Sequence, residues 1–537
     1  MKKFVLLLAL LALAIVPAAA QEELMVVDGG CEYGGAVSKI EAVDTLTVKV
    51  TLCAPDPAFP SKAAFSAFAI HSATHLEETG GAPVDTPVGT GPYKLDRWDR
   101  GSEVVMSANE NYWGEAPAEP TLIFRWNSES AARVTELQAG TADGIDNPGP
   151  ADFAVIESDP NLALYPRIGA NVFYIGFNNT IAPFDNVNVR KAIAQAIDKQ
   201  RIVDNFYPEG SIVATQFMPP AIASGYTPDV EAMPFDRDAA RALLEESGLE
   251  LPLEVTLQYR DVVRGYLPSP GVVAQDIAAQ LAEVGVNVTV QVVESGEFIA
   301  GTQAGTDPFY LLGWGADYPD ATNFLDYHFG ENQNIQFGDK FAEITEPLKA
   351  AAQLVDLDER NAIYAEANAA IRDLVPMVPV AHGGSATAFR AEIVGAHSSP
   401  LSNEQFTVME DPADDVFVWL QNAEPISMYC ADETDGESLR ACEQINEGLL
   451  AFEVGGTEVI PALAESYEAS EDLTEWTFHL RDGVTFHNGD TLDANDVVLS
   501  WVVQWDASHP LHVGNTGQFE YWGSLFGGFI NAPETTE

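Results

Sequence analysis

Basic residues are scarce in this sequence. Only 26 lysines and arginines stand against 81 aspartates and glutamates, a formal net charge of −55 over 537 residues. A surface this acidic repels nucleic acid and anionic lipid, so neither is expected as a partner. It does concentrate cationic ligands, chiefly at low salt. Cysteine is also sparse, with four in the whole chain. They form no Cys-x-x-Cys pair and have no nearby histidine, which argues against a zinc-type site. Beyond residue 20 no apolar run is long enough to span a bilayer. No Gly-x-Ser-x-Gly elbow, His-Glu-x-x-His pair or Walker-type phosphate loop occurs. The common hydrolase and ATPase signatures are therefore missing. His71 and His75 have the i, i+4 spacing of metal ligands. Without the rest of such a motif they read as satisfied or surface histidines, and no metal or cofactor is expected.

Apolar residues, by contrast, are ample at 46%, with 20% charged. A chain of this length implies two or three domains, because single cores stop growing near ~250–300 residues. Residues 1–20 read as an export signal: Lys2 and Lys3, an apolar stretch from Phe4 to Val16, then Ala18-Ala19-Ala20. No cysteine follows, so no lipid anchor is indicated. The expectation is a protein free in the periplasm or outside the cell. An oxidising compartment suits disulfides. Cys31 with Cys53 and Cys430 with Cys442 each bracket a short segment. Local pairing is expected, although four cysteines permit three connectivities.

Patterning along the chain is that of a mixed α/β protein. Leu46, Val48, Val50 and Leu52 alternate as a strand. Residues 128–139 and 187–204 have helical periodicity, and 171–178 reads as an aromatic strand. Asp236 can cap a helix that ends at Gly248. Strand 253–259, a helix over about 271–283 and strand 286–292 then make a βαβ unit, hence a parallel sheet. Residues 341–372 carry two further helical patterns, and 375–381 reads as a buried strand limited by Pro376 and Pro379. Polar residues 396–415 look like a linker. A new pattern follows, with Val416, Val418 and Leu420 alternating. Trp476, Phe478 and Leu480 lead to Asp482-Gly483, and Val484 and Phe486 return, which predicts a hairpin. A helix is predicted from Ala494, capped by Asp493 or Thr491.

The stretch Gly313-Trp314-Gly315-Ala316-Asp317-Tyr318-Pro319-Asp320 follows the apolar run Phe309–Leu312. It delivers an aromatic plate and an acid together at a strand end, where α/β domains meet ligands. By itself it could equally be a buried Trp and a loop-capping Asp.

The run Trp476–Gly489 with Ala494–Trp501 closely resembles a signature of the extracellular solute-binding proteins of family 5, the peptide- and nickel-type binding components of ABC importers. Pro87–Tyr93, Asn111–Gly114, Phe184–Ile193 and Gly313–Asp320 resemble four more of that family's motifs. The resemblance implies a two-lobe periplasmic-binding-protein-like α/β fold of class II, with an extra domain on the first lobe. One departure is large. The hairpin signature lies near the start of the mature chain in the family and near the end here. Residues 412–537 look like the family's opening segment moved behind its closing one, a circular permutation with 396–415 joining the usual ends. On this reading 21–85 and 441–537 build the extra domain. Residues 86–180 and 376–440 build the first lobe, and 181–375 the second.

The resemblance also implies a function. Peptide-binding members hold an extended peptide between the lobes, partly through its main chain, and the lobes close by hinge motion. Asp317 stands where such relatives hold the α-amino group, with Trp314 and Gly315 beside it. Arg264, in Arg264-Gly265-Tyr266-Leu267-Pro268, matches a stretch whose Arg holds the peptide carboxylate in the dipeptide-binding branch, although Gly265 replaces a Pro there. Tyr429, Thr434 and Asp435 occupy a loop where relatives touch ligand; a disulfide-tied surface loop is the alternative. The expected partners are an oligo- or dipeptide and a membrane permease driven by a separate ATPase, with the protein itself a monomer and not an enzyme. Nickel chelates, heme and oligosaccharides are rival ligands. A secreted hydrolase or surface protein is the rival class.

Overall fold

The computed structural model describes residues 23–533, apart from 168, 229, 263 and 332–334. The segment expected to be an export signal lies outside the described residues.

Three large sheets organise the chain. The first has five antiparallel strands in the order Val26–Asp28, Val37–Asp44, Thr47–Leu52, Glu475–Leu480, Ala464–Ala469. Strands from the two ends of the sequence thus share one sheet, and residues 412–537 do not stand apart as a separate globule. Val48, Val50, Trp476 and Phe478 alternate inward as the period-2 pattern requires, and helix Ala494–Trp505 covers them. Asp493 caps that helix in a reciprocal box with Asp496. Further contacts tie the late segment to the early one. Ala36 N–H donates to Phe526 O at 2.6 Å, and Leu480 N–H donates to Leu46 O at 2.7 Å. A Cβ on Gly29 would meet Ile530 and Trp505 side chains at 2.6 Å. The Cys31–Cys53 disulfide lies at this seam with a Cα–Cα distance of 5.7 Å, and Cys430–Cys442 spans 5.8 Å. Local pairing holds for both.

The second sheet runs Tyr93–Asp99, Glu103–Ala108, Thr121–Trp126, Val416–Gln421, Gly144–Asp146, Ser385–Arg390, Leu162–Arg167. The third runs Ile212–Val213, Met377–His382, Asn171–Phe177, Phe309–Gly315, Leu253–Tyr259, Val286–Val292. Its last two strands are parallel and flank helix Pro270–Ala282, the expected βαβ unit. The chain passes between these two sheets twice, after Arg167 and after His382. Strands 171–177 and 377–382 therefore belong to the second lobe's sheet, just outside the span 181–375. The two crossings lie side by side. Asn171 Nδ2 donates to Gly383 O at 2.9 Å, Gly383 N–H donates back to Asn171 Oδ1 at 2.8 Å, and Arg167 is opposite Ser385. This paired crossover joins the two lobes.

Three local expectations change. The helix over 187–204 is two helices, Val187–Ala196 and Lys199–Phe206, because Asp198 leaves the helical conformation to cap the second one through Arg201 N–H. Asp482-Gly483 does turn, with Gly483 at φ +79°, but the chain beyond it does not pair back. Strand Glu475–Leu480 instead lies between Ala464–Ala469 and Thr47–Leu52. The segment 396–415 is no loose linker. Glu404 is fully buried there and ion-pairs with Arg167 and Arg440.

Several family-like motifs have plain structural roles. Buried Arg190 donates to the carbonyls of Phe184, Leu374 and Val375 at 2.7–2.9 Å, closing the end of helix Leu357–Leu374. Thr90 Oγ1, Tyr112 Oη and Trp113 Nε1 all donate to the Glu447 carboxylate at 2.7–2.8 Å. Gly89 and Gly91 must be glycines, since a Cβ on either would strike Ile445 backbone at 2.1 and 2.6 Å. The His487 ring donates to Gly91 O at 2.9 Å, and His75 bonds Thr86 O.

Candidate functional site

The site grows from strand Phe309–Gly315 in the middle of the third sheet. Gly313 is required within it, because the Tyr266 ring lies where a Cβ would be, at 2.2 Å. The strand ends at half-buried Trp314 and exposed Gly315, and the chain turns toward the first lobe at Asp317. A short π-type turn, Thr322–Asp326, then presents Asn323. Its Oδ1 accepts from Trp314 Nε1 at 3.1 Å and from Asp317 N–H at 3.0 Å, while its Nδ2 donates to Asp317 Oδ2 at 3.0 Å. One buried amide thus fixes the plate and the acid together. Trp314 stacks on Tyr327 with centroids 4.6 Å apart, and His328 meets its edge at 5.0 Å. Burial holds His328 neutral, its pKa lowered to about 3.

Two cavities meet at Asp317. One, of about 250 Å³, lies within the second lobe and is lined by Tyr174, Arg260, Tyr266, Trp314, Gly315 and Tyr327 among others. The other, of about 90 Å³, lies between the lobes, with Phe65, Ser66, Asn403, Arg440 and Glu443 facing Ala316 and Asp317. Burial at this junction pushes the Asp317 carboxyl up to about 6; the Asn323 donor opposes the shift and nearby Glu520 adds to it. An enclosed carboxylate of this kind gains from a cationic partner, because ionisation inside the cleft is otherwise costly. The walls offer hydrogen bonds, an aromatic plate, two acids (Asp317 and Glu443) and two arginines (Arg260 and Arg440). Those groups suit binding of a charged small molecule.

Of the residues expected from the sequence, Asp317, Trp314 and Gly315 come together here. Arg264 does not. It is exposed, and its backbone pairs with Leu267 in a tight turn that directs Tyr266 inward. Arg260, one helical turn earlier in sequence, lines the cavity instead and donates to Tyr266 Oη at 3.1 Å. Tyr429 is fully buried against His71 and Phe519, away from both cavities. Thr434 is exposed, and Asp435 caps helix Gly436–Cys442 by accepting from Ser438 N–H at 2.9 Å. That loop positions the helix, and the helix supplies Arg440 and Glu443. Asn323, Tyr327, Arg260 and Glu443 went unrecognised in the sequence. Asn323 follows the strand-end motif by three residues and was the one within reach of that reading.

Comparison with known proteins decides the family. The profile of bacterial extracellular solute-binding proteins, family 5 (middle region), matches residues 16–336 and 458–518. The chain belongs to this family. Among family 5 relatives, a dipeptide-binding protein of Pseudomonas aeruginosa is 31% identical over 379 residues, covering 69% of this chain and 71% of the relative. Heme-binding protein A of Haemophilus influenzae is 30% identical over 381 residues, covering 69% of each. HbpA2 from Haemophilus parasuis superposes with a TM-score of 0.65 at 30% identity, over 71% of this chain and 76% of its own. The dipeptide-binding protein of Pseudoalteromonas sp. SM9913 in complex with Met-Leu superposes with a TM-score of 0.59 at 25% identity, over 71% and 76%. The family 5 fold is the two-lobe fold described above. Among the described residues, no helix is long and apolar enough to cross a membrane.

Proposed function

We propose that this protein is the exported binding component of an ABC importer, holding short peptides between its lobes for delivery to a permease with a separate ATPase. The observation that carries the reading is the shared anchoring of Asp317 and Trp314 by Asn323 at the meeting point of two cavities. Asp317 takes the α-amino group, and Trp314 and Gly315 line the first residue's path. Arg260 replaces Arg264 as the candidate for the carboxylate, since it lines the cavity. Relatives described as dipeptide-binding support peptides as the ligand class. The heme-binding relative keeps heme as the rival ligand. The role is carriage and not catalysis, so bound peptide leaves unchanged.

The test is titration of the purified protein with di- and tripeptides, followed by tryptophan fluorescence and calorimetry. Binding is expected in the wild type and lost in Asp317→Ala with the fold intact. Unchanged affinity in Asp317→Ala would remove the anchor assignment, and binding of hemin but of no peptide would remove the ligand class.

The same reading takes residues 412–537 as the family's opening segment, carried to the far end of the chain. The bond from Ala36 N–H to Phe526 O and the packing of Gly29 on Ile530 support it, because they bring together residues that would be consecutive in the usual order. A gene that begins near residue 396, runs to residue 533, continues through a short linker into residue 23 and ends near 395 keeps Glu404 and both disulfides, and is expected to give a protein of similar thermal stability. Failure of that rearranged chain to fold would count against the rotation.

A further inference from the structure

Glu443 lies across the interlobe cavity from Asp317, on the surface that continues helix Gly436–Cys442. The same residue also lines a third cavity of about 230 Å³, with Tyr112, Trp113, Gln405 and Phe452. Ala64, Ser66, Asn403, Glu443 and Phe452 are common walls of the two spaces. A ligand anchored at Asp317 therefore has a way onward from the small cavity, past Glu443, into a roomier compartment. The nearest cation, Arg440, is already engaged. Its Nε donates to Glu404 at 3.0 Å and its Nη2 lies 3.1 Å from Asp146. Ser66 is the hydrogen-bond partner of the Glu443 carboxyl, and Arg440, whose bonds go to Glu404 and Asp146, favours its charge only through space. Burial raises its pKa to about 8. A buried acid so placed is held neutral until a positive charge comes beside it, so it gains most from a second positive charge on the ligand.

We infer that Glu443 is a specificity residue that selects peptides bearing a lysine or arginine within their first two residues. The proposal rests on the peptide-binding reading above and adds the ligand's charge class to it. The α-amino group pairs with Asp317, and the stem of the basic side chain crosses the small cavity so that its cationic end reaches Glu443. Phe65 and Phe452, walls of the small cavity, suit the aliphatic stem of such a side chain.

The experiment measures affinities of Ala-Lys-Ala, Lys-Ala-Ala, Ala-Leu-Ala and Ala-Glu-Ala for the wild type, Glu443→Gln, Glu443→Met and Asp317→Asn. The wild type is expected to bind one or both lysine peptides at least about ten-fold more tightly than Ala-Leu-Ala, the scale of a close interfacial charge pair. In Glu443→Gln that preference, read as the ratio of lysine-peptide to leucine-peptide affinity, falls to about two-fold or less. Glu443→Met gives the same result if the polar variant folds poorly. Equal wild-type affinities for lysine and leucine peptides would overturn the proposal, as would a preference that survives both Glu443 variants. Failure of the underlying reading looks different: no tripeptide binds the wild type, or Asp317→Asn leaves every affinity unaltered.

Discussion

Asn323 holds Asp317 from both sides, accepting from its backbone N–H and donating to its carboxylate, each at 3.0 Å. The amide also binds the Trp314 indole, so three groups on two segments share one buried side chain. Asn323→Ala is expected to weaken peptide binding by about ten-fold or more, because a hydrogen bond to a charged group contributes about 1.5–3 kcal/mol. Trp314 loses its Nε1 partner in the same variant, so its emission should shift before any peptide is added. Calorimetry and emission spectra check both effects, and wild-type affinity in this variant would detach Asn323 from the site.

Asp320, three residues beyond Asp317, is locked to Arg360 by two bonds of 2.8 and 2.9 Å in a buried pocket. Arg360→Met leaves that carboxylate buried without its cation. The expected loss is about 3–5 kcal/mol of stability, measured as a lowered denaturation midpoint. Replacing both partners with apolar residues should recover much of it, since a paired buried charge is nearly offset by its desolvation. A single variant within ~0.5 kcal/mol of wild type would contradict the burial described.

Glu404 tests whether residues 396–415 are part of the fold. It pairs with Arg167 beside the crossover and with Arg440 on the cleft helix. Burial opposes its charge, but the two guanidiniums lower its pKa to about 2. Glu404→Gln should cost about 3–5 kcal/mol and broaden the motion of one lobe against the other. A loose connector would tolerate the change within about 0.5 kcal/mol. Urea unfolding separates the two outcomes.

The acids of the cleft set a pH dependence with a definite sign. Burial raises Asp317 to about 6 and Glu443 to about 8. Stability from such groups is fully present below their unfolded values and is lost as pH rises through the folded ones. The melting temperature of the ligand-free protein should therefore fall between about pH 4 and pH 8, with both acids contributing up to about pH 6 and Glu443 alone beyond it. Glu404 and Asp320 have lowered values and act the other way, their contribution being lost only as pH falls through the acid range. Glu443→Gln should flatten the alkaline decline. A peptide with two cationic groups should bind more weakly at pH 5.5 than at pH 8, because it must displace protons from both acids. Scanning calorimetry across that range decides the first point and titration the second; a flat profile in both would refute the linkage.

The sequence alone was enough for the class of fold, the family and the strand that carries the site. Periodicity marks helices and strands because their repeats of 3.6 and 2 residues leave a trace in every buried face. That trace placed strand 253–259, strand 286–292 and the helix between them, and it led to Gly313–Asp320. Both disulfides were legible because their cysteines are close in sequence, at separations of 22 and 12.

Only the tertiary structure decided which charged groups face the cleft. Arg264 and Arg260 lie four residues apart, and nothing in local spacing says that one would close an exposed turn and the other line a cavity. Glu443 and Asp317 are 126 positions apart and belong to different lobes, so their confrontation across a cavity leaves no pattern along the chain. The hidden structure of residues 396–415 has the same cause. A polar segment looks like solvent-exposed chain until Arg167 and Arg440 arrive from elsewhere to satisfy Glu404. Burial of a charge depends on partners brought by the fold, whereas burial of an apolar face is written into the local repeat.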